Sequence, residues 1–381
     1  MRHTHDLIVL GAGPAGAAAA MTAARSGLRV ALVDKRRFPR DKLCGGGLTG
    51  RALGHYAQIF GRGLPPVGLA KRDCFHFHAF GADLGASRNA PPIHLVMRRA
   101  FDASLVADAL EAGAADFTGQ SGLLDPESRR LTLPGQTLHA PLIIAADGVN
   151  SPVARQIFGA AFDRSRIGFA LEVEIPRVDA DTPLRIDFGA AEWGYGWPFP
   201  KHCGTTVGVG GIMTRNPDMK AALAAYLRCL DLPGDLPVKG QFLPFGDFRA
   251  CPGKGCVLLA GDAAGLVDPI TGEGIAHALH SGALAAKAAR TALDDGRPDR
   301  ALALYRRALR PIHSGLRQAN WLRHVLFQPA LRPAFIHSFR NSRSLRDDYL
   351  RLLAGQTEYA PLIRKTALRL PALALRAIGG K

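Results

Sequence analysis

Apolar and polar positions along this chain follow three successive textures. In the first, short unbroken apolar runs at residues 7–10, 28–33 and 142–146 read as strands buried on both faces, the pattern of a parallel sheet. Between them, the Ala-rich residues 17–25 predict a helix, as do residues 101–113, where Phe101, Leu105, Ala109 and Leu110 fall at helical spacing. From 167 to 248 the period changes to two. Segments 170–175, 183–188 and 205–212, with the earlier run 74–80 (CFHFHAF), predict a mainly antiparallel sheet. Residues 255–260 return to a buried strand and 275–289 to a small-residue helix. Beyond Arg297 the pattern is helical, divided by Pro311, Pro329, Pro333, Pro361 and Pro371. The expected class is α/β (α+β overall), with the antiparallel sheet interleaved into the parallel one.

The junction of the first strand and helix carries the strongest chemical signal. Residues 7–34 read LIVLGAGPAGAAAAMTAARSGLRVALVD, a strand, a GxGxxG turn, a helix, and a second strand ending in Asp34. Gly11 permits the tight turn, Gly13 lets a pyrophosphate approach the backbone, and Gly16 lets helix and strand pack closely. The helix N-terminus offers unpaired N–H groups and partial positive charge to phosphates, and Asp34 stands where a carboxylate meets a ribose. Residues 7–24 are uncharged and could pass for a membrane span or a signal peptide. The GAGP core and the missing polar cleavage region argue against both.

Composition changes this picture little. Of 381 residues, 47% are hydrophobic and 21% charged, which fits a folded globular chain of two packed domains or one large domain with additions. The six cysteines are scattered without a CxxC pair, so a reduced, cytoplasmic setting is expected and a zinc site is not. Charge is more informative. The formal net charge is +16, and residues 297–381 hold 17 Lys plus Arg against 4 Asp plus Glu, a local +13. No nucleic-acid motif accompanies it, so no nucleic-acid partner is expected. Residues 361–378 mix Leu, Ile and Ala with Arg364, Lys365, Arg369 and Arg376. They suit either a basic interfacial helix at an anionic membrane or a solvated basic face.

Further loops fall at expected ligand edges. Lys42-Leu43-Cys44-Gly45-Gly46-Gly47-Leu48 has an apolar entry and exit around three glycines, as a loop pressed on a flat ligand would. Cys44 is either an inert small hydrophobe or a functional thiol. Asp147-Gly148 and Gly261-Asp262 each end a buried strand, and residues 268–274 place more glycines before a helix. Glu192 to Pro200 (EWGYGWPFP) is either a core corner or the wall of an apolar groove. His76 and His78 share a strand face, but with no third ligand in view they are read as structural; no metal is expected. His277 and His280 are read as packing residues. Three ligand loops without a second GxGxxG favour FAD over NAD.

Together, GAGPAG, Asp34, Arg98 in VMRRAFD, Asp147-Gly148 and Gly261-Asp262 resemble the flavoproteins related to para-hydroxybenzoate hydroxylase. The loop from Lys42 to Leu48 is similar to the geranylgeranyl reductase family within that group. So is Tyr195-x-Trp197-x-Phe199-Pro200 followed after seven residues by Gly208-x-Gly210, which matches its YxWxFP signature. The resemblance spans about residues 5–290. It implies a Rossmann-type FAD-binding domain from 1–73, 97–160 and 250–295. It also implies a substrate sheet from 74–96 and 161–249; the remaining basic helical C-terminal region, 296–381, matches only in being helical and basic.

What the resemblance implies is FAD-dependent saturation of C=C bonds in a polyisoprenoid chain on a lipid, quinone or pigment, with hydride from reduced flavin N5. Expected FAD contacts are Gly11, Gly13, Ala15, Gly16, Asp34, Lys35, Cys44, Gly45, Gly46, Arg98, Asp147, Gly261, Asp262, Gly272, Gly274 and Ile275. Gly47, Tyr195, Trp197, Phe199 and Pro200 would line the isoprenoid path. An isolated alkene is a poor electrophile, so hydride addition needs a proton at the other carbon, and Cys44 is placed to help deliver it or to gate the path. The electron donor is NADPH, ferredoxin or another reduced carrier, and a basic surface suits peripheral attachment at the inner face of a membrane. Alternatives are an aromatic hydroxylase or monooxygenase on the same fold, or a non-enzymatic lipid carrier. A flavin halogenase lacks support because GWxWxIP is absent.

Overall fold

The computed structural model describes residues 4–176 and 182–365. A six-stranded sheet runs in the order Gly253–Lys254, Val257–Leu259, Leu142–Ala145, Leu7–Leu10, Val30–Asp34, Ala115–Thr118. Neighbours are parallel except the first pair. Leu7 lies opposite both Val30 and Leu142, and Leu7–Leu10 and Leu142–Ala145 are buried throughout. A strand covered on both faces has no use for polar residues, which is why these runs are unbroken.

Two alanine-rich helices, Pro14–Arg25 and Ile275–Asp294, pack on each other over this sheet. They come close at Gly282, where a Cβ would run into the backbone of Ala15. Small side chains permit that spacing, and it sets the segment Gly261–Ala264 beside the glycine turn. Gly261 donates its N–H to Ser281 Oγ at 2.9 Å, and a Cβ on it would lie 2.9 Å from that of Ala15.

The second sheet has seven strands, in the order Lys239–Leu243, Gly168–Ile175, Thr205–Ile212, Tyr195–Pro200, Leu184–Phe188, Phe75–Ala79, Ala82–Ser87. It is antiparallel except where Leu184–Phe188 meets Phe75–Ala79. Ile93–Val96 instead pairs with Gly47–Leu48 and Leu69–Arg72 in a small separate sheet. The helix Met219–Cys229, which period-two reading of 167–248 passed over, packs against one face of the large sheet. Tyr226 of that helix donates to Asp187 at 2.6 Å, and a Cβ on Gly196 would meet its ring at the same distance.

The opposite face is covered partly by chain that the sequence presented only as basic and helical. Phe339 and Tyr349, on helices Arg332–Asn341 and Arg343–Leu353, set their rings edge-on to Phe77 and Phe188 at 5.3–6.2 Å. Tyr305 on helix Ala301–Ala308 donates to the carbonyl of Leu259 at 3.0 Å and fixes the region to the parallel sheet. Residues 366–378 of the expected basic helix lie outside the described residues. No helix among the described residues is long and apolar enough to cross a membrane. The uncharged run 7–24 is strand, turn and helix.

Candidate active site

One cavity of about 520 Å³ connects the two sheets, within the usual range for small-molecule and cofactor sites. At one end it meets the glycine turn. Gly11 holds φ +90°, and a Cβ there would press into the backbone of Ala146 and Asp147. Helix Pro14–Arg25 begins here with no side-chain cap among the described residues, which leaves the N–H groups of its first turn available to a ligand. The Asp34 carboxylate accepts from Ala12 N and Arg36 N, each at 2.8 Å, and so fixes the turn as well as lining the cavity.

Gly11, Gly13, Ala15, Asp34, Lys35, Cys44, Gly45, Gly46, Gly47, Arg98, Asp147, Asp262, Gly272, Gly274, Ile275, Tyr195, Trp197 and Phe199 all line this one cavity. Three expected residues do not. Gly16 lies behind the turn, where a Cβ would enter the carbonyl of Gly11; Gly261 packs on Ala15. Pro200 is buried at the strand end, its carbonyl accepting from Arg72 at 3.1 Å. For these three the structure supplies packing roles.

Charge along the cavity is arranged by buried pairs. Arg98 makes a two-bond contact with Asp102, at 2.7 and 2.8 Å, and Arg40 reaches the same carboxylate at 3.1 Å. Burial works against the Arg98 charge, but Asp102 and the neighbouring Cys44 thiol more than restore it. Burial pushes the Lys42 ammonium down and the Asp262 carboxyl up, each partly offset by attraction to the other. Burial also pushes the Asp147 carboxyl up, and its Oδ1 has no partner among the described residues. An uncapped helix N-terminus, a glycine turn open to close approach and an unpartnered buried carboxylate oxygen are what a dinucleotide would satisfy. The residues therefore fit FAD.

At the other end the three-glycine loop lies on the aromatic segment. A Cβ on Gly45 would stand 2.8 Å from the Phe199 ring and 3.4 Å from Trp197 Nε1. Gly46, at φ +73°, abuts the Val96 carbonyl and accepts from Val96 N at 2.9 Å. Tyr195, Trp197 and Phe199 alternate along strand Tyr195–Pro200 and share the cavity face. Trp197 lies over Gly208, whose Cβ would be 2.5 Å from the ring. Tyr195 donates to the Thr271 carbonyl at 3.1 Å and sits against Gly272, joining the two sheets at the centre of the cavity.

Several lining residues were invisible in the sequence. Tyr349 and Leu353 reach the cavity from the C-terminal helices. That segment is latched by Tyr359, which donates to both Asp268 oxygens at 2.7 and 2.8 Å, and by an Arg51–Glu358 pair at 2.8 Å. Arg51 also lies 3.3 Å from Glu273, to which Thr49 donates. Glu172 is another omission. It shares strand parity with Ala170 on the inward face, and a glutamate at that parity was the available signal.

Elsewhere, His76 and His78 gain the third group that the sequence did not offer. Across the hairpin, Asp83 comes 2.9 Å from His76 Nε2, and ligand atoms of all three lie within 4.8 Å of one another. His55 and His280 stack at 4.1 Å, a packing role.

A family model described as FAD dependent oxidoreductase matches residues 6–73. The chain is 33% identical to a menaquinone reductase of Mycobacterium tuberculosis over 310 residues, 74% of this chain and 76% of that one. It is 30% identical to a digeranylgeranylglycerophospholipid reductase of Methanosarcina mazei over 331 residues, 78% and 77% of the two chains. Among solved structures, a geranylgeranyl bacteriochlorophyll reductase-like protein of Thermoplasma acidophilum superposes with TM-score 0.76 at 22% identity, covering 92% of this chain and 96% of that one.

Proposed function

Because this chain belongs to the geranylgeranyl reductase family of FAD-dependent oxidoreductases, we propose that it saturates C=C bonds in the polyisoprenoid chain of a lipid, quinone or pigment. One observation carries the reading: the glycine loop and the Tyr195-Trp197-Phe199 face pack together, so a dinucleotide arm and an apolar aromatic chamber are a single cavity. When bound, FAD supplies the hydride. The protein's part is to hold the flat, apolar chain, exclude water and provide a proton. The chamber suits this because its aromatic walls recognise shape and apolar surface rather than hydrogen bonds.

The decisive experiment is anaerobic. Chemically reduced, FAD-loaded protein incubated with polyprenyl lipids is expected to give products heavier by two hydrogens per double bond, read by mass spectrometry. Oxygenated products formed only in air would overturn the reading in favour of a monooxygenase.

Cys44 borders this chamber beside Arg98, and its sulfur accepts from Gly46 N at 3.4 Å. We read it as orienting the loop and gating the chamber. Cys44→Ala is expected to slow lipid-dependent flavin reoxidation by less than about tenfold. A loss on the order of 100-fold would instead make the thiol the proton donor.

Such a substrate resides in a bilayer, and the surface suits an anionic one. Helix Arg310–Phe327 carries Trp321, 49% exposed, on a region dense in arginine. Cosedimentation with phosphatidylglycerol vesicles at low salt, lost at high salt and absent with phosphatidylcholine, is the expected result. Equal binding to both lipids would remove the electrostatic part of the argument.

A further inference from the structure

The inward face of strand Gly168–Ile175 is apolar at Ala170 and then carries Glu172, 1% exposed. A buried carboxyl on the wall of an apolar chamber is costly to keep unless it has work or full pairing. Glu172 has only half its pairing. Its Oε1 accepts from Cys44 N at 3.0 Å, while Oε2 has no partner among the described residues. The group lines the cavity between the glycine loop and Trp197, whose ring lies over Gly208, the residue opposite Glu172 in the sheet.

A charged strand edge adjoins it. Lys201, 2% exposed, donates to the Cys44 carbonyl at 3.3 Å and stands 3.8 Å from Glu174 Oε1. Glu174 is a third exposed, accepts from Thr206 Oγ1, and shares Glu172's strand parity. The charged groups that face Glu172 are therefore Lys201 and Glu174 at the strand edge, Lys42 from the loop and Lys239 across the ladder, with the Cys44 thiol beside them.

Resting on the reductase reading above, we propose that Glu172 is the acid of the reaction. From its unpartnered oxygen it delivers the proton that the alkene takes up. The Glu172 O–H bond breaks and its proton forms a C–H bond at the carbon that does not receive the hydride. The two π electrons form that bond, and the carboxylate left behind regains a proton from solvent between turnovers. Burial holds the Glu172 carboxyl up to about 7 against the pull of Lys201, so the acid is present at neutral pH and is lost as pH rises through that value. Cys44 then positions the acid through its backbone N–H, which any residue at 44 except proline would retain.

Glu172→Gln keeps an acceptor for Cys44 N–H and removes only the proton. Two measurements on the FAD-loaded protein test the assignment. In difference infrared spectra against Glu172→Gln, the wild-type protein is expected to show a protonated-carboxyl band that titrates near neutral pH. Lys201→Met is expected to move that titration to higher pH, because it removes the cation favouring the carboxylate. In single turnover, Glu172→Gln is expected to slow lipid-dependent reoxidation about 100-fold or more, with flavin content and chemical reduction unchanged. Absence of the band in wild type at pH 6, or a wild-type rate in Glu172→Gln, overturns the proposal. Failure of wild-type protein to reduce any polyprenyl lipid would overturn the substrate reading alone, and a titrating band would still support Glu172 as a buried acid.

Discussion

Gly11→Ala is expected to purify without flavin and with a clearly lowered melting temperature. The position is left-handed at φ +90°, which costs an alanine about 1–3 kcal/mol. The added carbon would also lie 2.6 Å from the Ala146 carbonyl carbon and 2.8 Å from Asp147 Cα. Both are backbone atoms of the neighbouring parallel strand's end, so no side chain can swing aside. Relieving that contact adds about 1–3 kcal/mol. The sum is a large share of a total stability on the order of 10 kcal/mol. Any relaxation must also move Asp147 or break the bonds from Gly11 N to Val33 O and Ala12 N to Asp34. Affinity for FAD is therefore expected to fall at least ~100-fold, equal to about 2.7 kcal/mol. Visible flavin absorbance per protein and a thermal melt read both effects. Full flavin content with an unchanged melt would show that the turn tolerates a side chain and the close approach is not required.

Trp197→Ala is expected to separate the two halves of the cavity. The ring is 6% exposed, centred 5.5 Å from Tyr195 and 6.3 Å from Phe199, and it covers Gly208. Removing a buried aromatic ring costs about 3–5 kcal/mol, and the lower end is expected here because one side of the ring borders open cavity. The melting temperature should fall by several degrees. FAD content should stay near wild type, since the glycine turn and the Arg98–Asp102 pair do not depend on this ring. Turnover of a long polyprenyl chain should fall about 50-fold or more through KM, as the apolar wall is lost. Trp197→Phe should recover most of both. If Trp197→Ala lost its flavin while retaining affinity for the lipid, the chamber would have to be reassigned to the cofactor.

The contrast between these two residues shows where sequence information is strong. Around Gly11 everything is local. A four-residue apolar strand, the three glycines of the turn, an alanine helix and an acid occur within 28 residues, and each acts on its near neighbours through backbone geometry. Tyr195, Trp197 and Phe199 stood out in the sequence as an aromatic cluster with a family signature, and the strand that puts alternate side chains on one side made them a single wall.

What only tertiary structure decided lies where distant segments meet. That Gly45 presses on Phe199, and that Tyr195 bridges to Thr271, follows from two sheets closing on one cavity, which no local pattern records. Gly261 fits a ligand-loop motif, yet the fold turns it toward Ala15, whereas the close packing at Gly16 was already written in the motif; glycine serves close packing and ligand approach alike. Tyr349 and Leu353 arrive from more than 140 residues beyond the aromatic strand, as the C-terminal helices fold back over the sheet. Asp83 joins His76 only because a hairpin reverses the chain. Glu172 is the sharpest case. Alternation fixed which face it would occupy, but whether that face met water or an apolar chamber depended on packing of the whole chain, and burial is what makes a carboxyl an acid at neutral pH.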